Sequence, residues 1–169
     1  MRNILIGNAV MLIGAILMSV IGLFKNKKTI IAAQTGQIAL MTTGSLLLGS
    51  IPGAVVNALS IVRNLLCYNG KLTKVMKGIL IFLTIVISVA FNNLGIVGFL
   101  PIIATVAFII FMDTENVVEL KWLIIVTAAM WMIHDIYIQA YSVVPFDILT
   151  IITNFVSLRA IQKKTTVPC

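Results

Sequence analysis

The chain consists of long apolar runs separated by short polar breaks. Seven runs can be marked, at residues 3–24, 29–49, 53–69, 78–93, 95–112, 120–141 and 145–162. Each run is close to the ~20 apolar residues that a helix needs to cross the hydrocarbon core of a bilayer. The pattern predicts an all-α integral membrane protein with seven transmembrane helices.

Composition supports a membrane protein. The 169 residues are 60% hydrophobic and 10% charged, whereas soluble domains average about 25% charged residues. The first apolar run follows Met1-Arg2 directly and more apolar runs come after it, so we interpret it as a retained helix rather than a cleaved signal peptide. The two cysteines, Cys67 and Cys169, form neither a disulfide framework nor a metal-binding spacing, and we expect no metal or other cofactor.

The basic residues indicate how the helices are oriented. The net charge is +7, but the lysines and arginines are scattered through the breaks between apolar runs, so we expect no nucleic-acid partner. With the N-terminus outside, eleven of the twelve basic residues lie toward the inside and only Arg2 lies outside. This is the positive-inside pattern. It predicts an N-terminus outside and a C-terminus inside, with the lipid bilayer as the surrounding partner.

An internal repeat divides the chain. The break after the first run, Phe24–Ile31, has the same spacing as the break after the fifth run, Phe111–Val118. Asn57 in the third run corresponds to Asn154 in the seventh, and each is followed by an arginine six or five residues later. Two parallel copies of one three-helix unit explain this pattern, which is known among small-solute transporters. We predict that residues 1–69 form the first three-helix unit and residues 95–164 the second. Residues 70–94 contain the linker helix, and residues 165–169 form a tail.

The third run carries a polar stripe along one helical face. Bare amides and hydroxyls are costly in hydrocarbon, so this stripe is expected to face protein or a water-filled cavity. Asn57 and its counterpart Asn154 suggest a donor–acceptor clamp for a solute near the middle of the membrane. The alternative is that each asparagine only bonds to a neighbouring helix. The stripe comprises Gly53, Asn57, Ser60, Asn64 and Cys67, which recur at helical spacing.

Two other runs carry polar faces that also allow two interpretations. Gln34 and Gln37 can bond to a solute, or they can bond to adjacent helices, which contributes roughly 0.6–2 kcal/mol for each bond. Trp131 lies near the middle of its run, where an indole can stack on a solute or simply pack. His134 can donate to a solute, accept a proton or bond to the seventh helix. Since Asp135 points about 100° away from His134 on a helix, proton coupling is the less favoured alternative.

Three charged residues within the runs are expected to have structural roles. Arg63 and Arg159 lie within two turns of the inner helix ends, so their side chains are expected to reach the membrane surface or anionic lipid. Asp147 follows Pro145 and is expected to cap the seventh helix at its start.

Two positions are candidate hinges, and no position suggests catalysis. Pro101 frees a carbonyl within the fifth run and allows a kink, and Gly14 is its flexible counterpart in the first run. The sequence contains no nucleophile elbow, phosphate-binding glycine loop or zinc-binding histidine pair. We therefore expect no catalytic residue and no enzymatic activity.

Several of these segments together resemble the bacterial inner-membrane YgjV-like family. The resemblance extends over about residues 5–164. In the first half of the chain it is carried by Gly49-Ser50-Ile51-Pro52-Gly53 and Asn57-Ala58-Leu59-Ser60-Ile61-Val62-Arg63-Asn64. In the second half it is carried by Trp131-Met132-Ile133-His134-Asp135, Asn154 and Arg159. That family is similar to the group that contains SWEET sugar facilitators, PQ-loop proteins and PnuC-type vitamin transporters.

The resemblance implies a location in the bacterial cytoplasmic membrane and a 3+1+3 fold, in which the fourth helix links two three-helix bundles. SWEET-like proteins bind their solute between asparagines on the third and seventh helices with tryptophans nearby, and Asn57, Asn154 and Trp131 fit those positions. The Pro-Gln dipeptide is absent after the first and fifth runs, and the tryptophan-rich motif of the vitamin transporters is missing. The resemblance therefore implies the fold more firmly than a substrate.

The resulting expectation is a small facilitative transporter of a neutral hydrogen-bonding solute such as a sugar, nucleoside or vitamin. The alternative is a non-transporting receptor or assembly factor on the same fold, and the oligomeric state stays open. The expected solute-binding residues are Asn57, Asn154, Trp131, His134, Gln34, Gln37 and Ser60.

Overall fold

The computed structural model describes residues 2–21, 27–111 and 117–165 of the chain. Within these ranges the chain forms seven α-helices and one short 3₁₀ helix, without a strand. The predicted breaks around Lys25 and Asp113, and residues 166–169 of the tail, lie outside the described residues. The α-helices are α1 (Arg2–Ile21), α2 (Lys27–Leu47), α3 (Ile51–Tyr68), α4 (Lys74–Ala90), α5 (Phe99–Phe111), α6 (Val117–Tyr137) and α7 (Val144–Thr165), and the 3₁₀ helix Gly95–Gly98 leads into α5.

The all-helical prediction is confirmed, and each apolar run corresponds to one helical segment. The fourth run, predicted at residues 78–93, forms α4 at Lys74–Ala90. It begins earlier because the Thr73 hydroxyl accepts a hydrogen bond from the Met76 N–H and so caps the helix before the apolar residues start. Apolar patterning alone does not detect such a cap.

One helix, α3, is long and apolar enough to cross a membrane, judged by length and composition over the described residues. Shorter apolar stretches of helix are Arg2–Met18, Gly95–Phe111 and Val144–Val156. The arrangement of seven spans therefore stays a prediction.

Consecutive helices pack in two sets of three. In the first unit (α1–α3), α2 packs against both α1 and α3, and in the second unit (α5–α7), α6 packs against both α5 and α7. The helix α4 contacts α3 and α5, and α3 also contacts α5 directly. The two units thus meet along α3 and α5, with α4 beside that contact.

Glycines allow α1 and α2 to approach each other closely. A Cβ atom on Gly44 would collide with Met11 and lie 3.3 Å from the Gly7 carbonyl oxygen. A Cβ on Gly14 would lie 3.3 Å from the end of the Met41 side chain. Small residues let helix backbones pack closely where the hydrophobic effect between helices is weak. The candidate hinge Gly14 is therefore a packing position between two helices.

The second candidate hinge, Pro101, lies in the first turn of α5. A proline is well tolerated there, because the first N–H groups of a helix have no intrahelical partner. Pro101 therefore lies at the start of α5 rather than in its middle. The proline instead follows the change from 3₁₀ to α-helical structure at Gly98 and Phe99.

The two units are joined at the end of the bundle where α1 begins, here called the N-terminal end. The amide of Asn8 donates to the Gln139 carbonyl at 2.8 Å, and its Oδ1 accepts from the Ser142 N–H at 2.9 Å. The Ser142 hydroxyl donates to the Asn8 carbonyl at 2.8 Å. Beneath these bonds, Met11 and Ala15 of α1 pack in one cluster with Ile138, Ala140 and Val143 of the α6–α7 connection.

We predict that Gly44→Ala destabilises the protein by about 1–3 kcal/mol, the usual range for overpacking a close contact. The added methyl group would push Met11 away from α2 and separate α1 from α2. Thermal unfolding of the purified protein in detergent measures the effect.

Gly36→Ala on the same helix is the matched control, because no atom lies within 4 Å of its added Cβ. This change should be neutral or stabilise by up to about 1 kcal/mol through helix propensity. Equal unfolding temperatures for the two variants would contradict the close packing of α1 against α2.

Candidate functional site

A cavity of about 390 Å³ lies between the two units. Every helix except α4 contributes to its wall. The polar lining residues are Gln34, Gln37, Asn57, Ser60, Arg63, Thr105, Thr127, Trp131, Asp135, Asp147 and Thr150. The apolar lining residues include Met11 and Val143 at the N-terminal end, and Met18, Phe108 and Ile124 farther along. This mixture of an apolar wall with a few polar groups is typical of small-molecule sites.

Several predicted site residues meet in this cavity with their polar groups unused. Gln37 and Ser60 are each 9% exposed, and among the described residues their side chains have no hydrogen-bond partner. Asn57 and Gln34 line the same cavity, also without a side-chain partner in the described ranges. Gln37 and Ser60 are buried, Asn57 is half-buried and Gln34 is exposed, and all four groups are available for a ligand or for water.

The polar stripe predicted on α3 is partly confirmed as a cavity wall. Asn57, Ser60 and Arg63 line the cavity. Asn64 does not, although it is buried, and its Oδ1 accepts from the Arg63 guanidinium at 3.1 Å. Cys67 is a free, half-buried thiol. Of the five residues of the stripe, Asn57 and Ser60 face the cavity, whereas Gly53 faces Ser50 and His134.

Trp131 lines the cavity with one side and contacts His134 with the other. The two ring centroids are 5.5 Å apart at an interplanar angle of 86°, an edge-to-face arrangement. Such pairs contribute about 0.5–1.5 kcal/mol beyond their buried area and restrict ring orientation. Trp131 thus lies on the cavity wall, and its contact with His134 restricts the orientation of its ring.

His134 lies behind the cavity wall and is 0% exposed. Its Nε2 is 2.8 Å from the Ser50 Oγ, and its Nδ1 is 2.9 Å from the Asp135 Oδ1. A proton on Nδ1 satisfies both contacts, since the imidazole then donates to the carboxylate and accepts from the serine hydroxyl. His134 therefore lies behind the wall, in contact with Trp131 and Asp135, which line the cavity.

Ser50 connects this histidine to the start of α3. Its hydroxyl accepts from the Gly53 N–H at 3.1 Å and so caps the helix. A Cβ on Gly53 would lie 2.6 Å from the Ser50 Oγ and 3.0 Å from the His134 Cε1. Glycine at position 53 therefore makes room for a hydrogen-bond chain, Ser50–His134–Asp135, that joins the two units.

Asn154 lies off the cavity wall. Its side-chain amide donates to the Thr150 carbonyl of the preceding helical turn at 2.8 Å. The structure therefore does not bring Asn154 to the cavity with Asn57, and the two-asparagine clamp is not present in this arrangement.

Arg63 lines the cavity, although it was expected to extend toward the membrane surface. It is 9% exposed, and its guanidinium lies 5.7 Å from the centroid of the Phe108 ring. Arg159 behaves differently: it is exposed, with its guanidinium 4.8 Å from the Phe155 ring centroid. The two arginines of the sequence repeat thus occupy different environments.

Sequence reasoning missed both carboxylates of the cavity wall. Asp147 was expected to cap α7, but the helix already begins at Val144, so this side chain lies within the first turn and faces the cavity. Asp135 was expected to point about 100° away from His134, which made it an unlikely proton partner, yet its Oδ1 lies 2.9 Å from the His134 Nδ1 and the residue lines the cavity. The spacing of Asp147 and Thr150 on one helical face was the signal that could have placed Asp147 beside a polar wall.

Comparison with known proteins identifies a family for the chain. A family model described as a bacterial inner membrane protein, Imp-YgjV, matches residues 5–165. No curated protein matches the chain, and no solved structure does.

We predict that Ser50→Ala costs more stability than the loss of a helix cap alone. Removing an N-cap hydroxyl costs about 0.5–2 kcal/mol, and a buried imidazole nitrogen left without its partner adds about 1–3 kcal/mol. Thermal or denaturant unfolding of the purified variant measures the sum.

Thr73→Ala is the control, because Thr73 caps α4 and its hydroxyl contacts only the Met76 N–H at 3.3 Å. It should cost about 0.5–2 kcal/mol. Equal losses for the two variants would show that the Ser50–His134 hydrogen bond contributes nothing.

Proposed function

The chain belongs to the Imp-YgjV family of bacterial inner membrane proteins, and on that premise we propose that it is a small facilitative transporter. Its solute is a neutral, hydrogen-bonding molecule such as a sugar, nucleoside or vitamin. The observation that supports this most is the cavity between the two units, where Gln37 and Ser60 are buried without hydrogen-bond partners in the described ranges. Polar groups that line a cavity and bond to no neighbouring residue are available to orient a small molecule there.

The proposed fold is a seven-span 3+1+3 arrangement similar to that of SWEET proteins. It is supported by the packing of α1–α3 and of α5–α7 as separate sets. It is also supported by α4, which contacts α3 and α5, the two helices along which the sets meet. In parallel-repeat transporters the solute site lies between the repeats near the middle of the membrane, and the cavity lies between these two units.

The proposed solute contacts come from both units. Gln34, Gln37, Asn57 and Ser60 supply hydrogen bonds from the first unit, and Trp131 supplies a ring for stacking from the second. His134 positions the Trp131 ring. Asn154 would join the site only after a movement of the second unit.

Alternating access is proposed as the mechanism. The contacts of Asn8 with Gln139 and Ser142 join the units at the N-terminal end. Breaking them and rocking one unit against the other would expose the cavity at that end. Gly14 and Pro101 remain the proposed pivots, at a close helix contact and at the start of α5 respectively.

The proposed topology has the N-terminus outside and the C-terminus inside. The α3–α4 connection and the start of α4 carry Lys71, Lys74 and Lys77, whereas the connection between α6 and α7 carries no basic residue. The positive-inside rule then places the first connection in the cytoplasm and the second outside.

This topology predicts the labelling of single cysteines by a membrane-impermeant maleimide in intact cells. In a background with Cys67 and Cys169 replaced by serine, Tyr141→Cys should react and Lys71→Cys should react only after the cells are opened. Both positions are exposed, so accessibility is set by the side of the membrane. Labelling of Lys71→Cys in intact cells would reverse the orientation.

A thermal-shift screen against sugars, nucleosides and vitamins tests the solute class. A bound solute stabilises the folded state by about 2.7 kcal/mol at a hundredfold excess over its dissociation constant. We predict that Gln37→Leu and Asn57→Leu weaken binding of the hit about 3- to 10-fold, since each removes one hydrogen bond of about 0.5–1.5 kcal/mol. Neither change should lower the stability of the free protein, because these side chains bond to nothing else in the described ranges. Uptake of the same solute into liposomes should fall in parallel.

Thr43→Val on the same helix as Gln37 is the control. Its hydroxyl is exposed and bonds to the Ala39 carbonyl of its own helix at 3.0 Å, so binding and uptake should stay unchanged. Binding without uptake would favour the receptor alternative. A panel in which nothing binds would contradict a solute site in this cavity.

A further inference from the structure

Arg63 places an unpaired guanidinium on the cavity wall. The residue lines the cavity and is 9% exposed. No carboxylate of the described residues lies in ion-pair range of it. Burying a charge is costly unless hydrogen bonds or an opposite charge compensate it. The hydrogen bonds that this guanidinium already makes therefore decide what it can still bind.

One edge of the guanidinium is occupied and the other is free. The Asn64 Oδ1 accepts from the Arg63 Nε–H at 3.3 Å and from its Nη2–H at 3.1 Å. The end edge, which consists of one N–H of Nη1 and the second N–H of Nη2, bonds to no described residue. Unlike the Oδ2 of Asp147, the Nη1 atom is not sealed from solvent-sized space. Two parallel N–H donors therefore remain for a ligand.

Phe108 of the second unit holds this group in position. The centroid of its ring lies 5.7 Å from the Arg63 Cζ, within the range in which a guanidinium is attracted to an aromatic face. The hydrogen bonds to Asn64 restrict the same group from the other side. A group that is already ordered loses less conformational entropy when it binds a ligand. Arg63 therefore presents its free edge at a fixed place between the two units.

Two hydroxyls lie one helical turn from this contact. Ser60 precedes Arg63 by three residues on α3, and Thr105 precedes Phe108 by three residues on α5. Side chains at this spacing are neighbours on a helix. Both residues line the cavity and are buried, and neither hydroxyl bonds to a described residue. Each can donate to or accept from a ligand that is bound at the guanidinium.

The other groups of the cavity wall favour a neutral ligand over an anion. Asp135 and Asp147 place two carboxyl groups on the same wall, and Arg63 is the one basic residue among the described lining residues. A planar ring with two adjacent acceptors uses the same pair of N–H donors without adding a charge, as guanine does with arginine through O6 and N7. Trp131 on the same wall offers an aromatic face on which such a ring can stack.

We propose that Arg63 binds the solute through the free edge of its guanidinium and selects, among neutral solutes, a planar ring with two adjacent hydrogen-bond acceptors. A nucleoside with an oxopurine base is a solute of this class. This inference rests on the proposed transport function. It narrows the neutral solute from sugars, nucleosides and vitamins to ring compounds that carry such an acceptor edge.

Three nucleosides with the same ribose test the acceptor edge on the native protein. Inosine presents O6 and N7 side by side, and adenosine has an amino donor in place of O6. The deaza analogue of inosine has C–H in place of N7. Thermal shift and isothermal titration are recorded on the purified full chain in detergent. Inosine should bind roughly 5- to 100-fold more tightly than either of the others, the range for a bidentate contact between arginine and a base.

Arg63→Lys tests whether this arginine causes the preference. Lysine keeps the positive charge but lacks the planar pair of donors, so the preference for inosine should disappear. Arg159→Lys is the matched control, because Arg159 also lies over a phenylalanine ring but is exposed and off the cavity wall, and it should keep the preference. A general loss of stability would weaken the binding of all three nucleosides alike and leave their ratio unchanged.

The outcomes separate this inference from the proposed function. If the three nucleosides bind equally, or if none binds while another solute does, the selection of an acceptor edge is overturned and a neutral-solute transporter still stands. A preference for inosine that persists in Arg63→Lys would overturn the role of this residue. A thermal shift with chloride or phosphate that is lost in Arg63→Lys, without any nucleoside preference, would overturn the inference in favour of an inorganic anion. A panel in which no sugar, nucleoside or vitamin binds would overturn the proposed function itself.

Discussion

The hydrogen bonds of His134 hold the two three-helix units in register. The imidazole has no contact with solvent, so both of its ring nitrogens must be satisfied inside the protein. One bond reaches Ser50, which begins α3 in the first unit, and the other reaches Asp135 in the second. The same ring supports Trp131 from behind. A shift of one unit against the other would therefore leave a buried nitrogen unpaired and also move two groups of the cavity wall.

Polar groups are distributed unequally along the molecule. At the N-terminal end the units are bonded to each other through Asn8, Gln139 and Ser142. In the cavity, by contrast, Gln37, Ser60 and one oxygen of Asp147 have no partner within the described ranges. Buried hydroxyls without a partner also occur off the cavity wall, at Ser45, Thr84 and Ser88. The feature that supports the proposed binding function is therefore the set of polar side chains that line the cavity and bond to no other described residue.

The sequence predicted the helices well, because apolar runs and helix length depend on local residues. It also identified Gln34, Gln37, Asn57, Ser60 and Trp131, whose spacing places polar groups on one side of their helices. It failed for Asp135, Asp147 and Arg63, which it did not place on the cavity wall, and for Asn154 and His134, which it did. Periodicity shows which residues share a helical face. It does not show how each helix is rotated relative to its neighbours, nor at which residue a capped helix begins. Those depend on contacts such as Ser50–His134, between residues 84 positions apart in the chain.

The three hydrogen bonds between Asn8 and the α6–α7 connection also set how often the N-terminal end separates. At about 0.5–1.5 kcal/mol for each bond, they hold the units together by ~1.5–4.5 kcal/mol, and every ~1.4 kcal/mol is a factor of ten in population. These bonds alone would leave between about a tenth and a thousandth of the molecules separated at this end, which is the range of minor states that a ligand can select. The Ser50–His134 bond and the apolar cluster around Met11 also join the units and lower that fraction. Two of the three bonds use the Asn8 side-chain amide and the third uses its backbone carbonyl, so this one residue sets much of the free energy of separation.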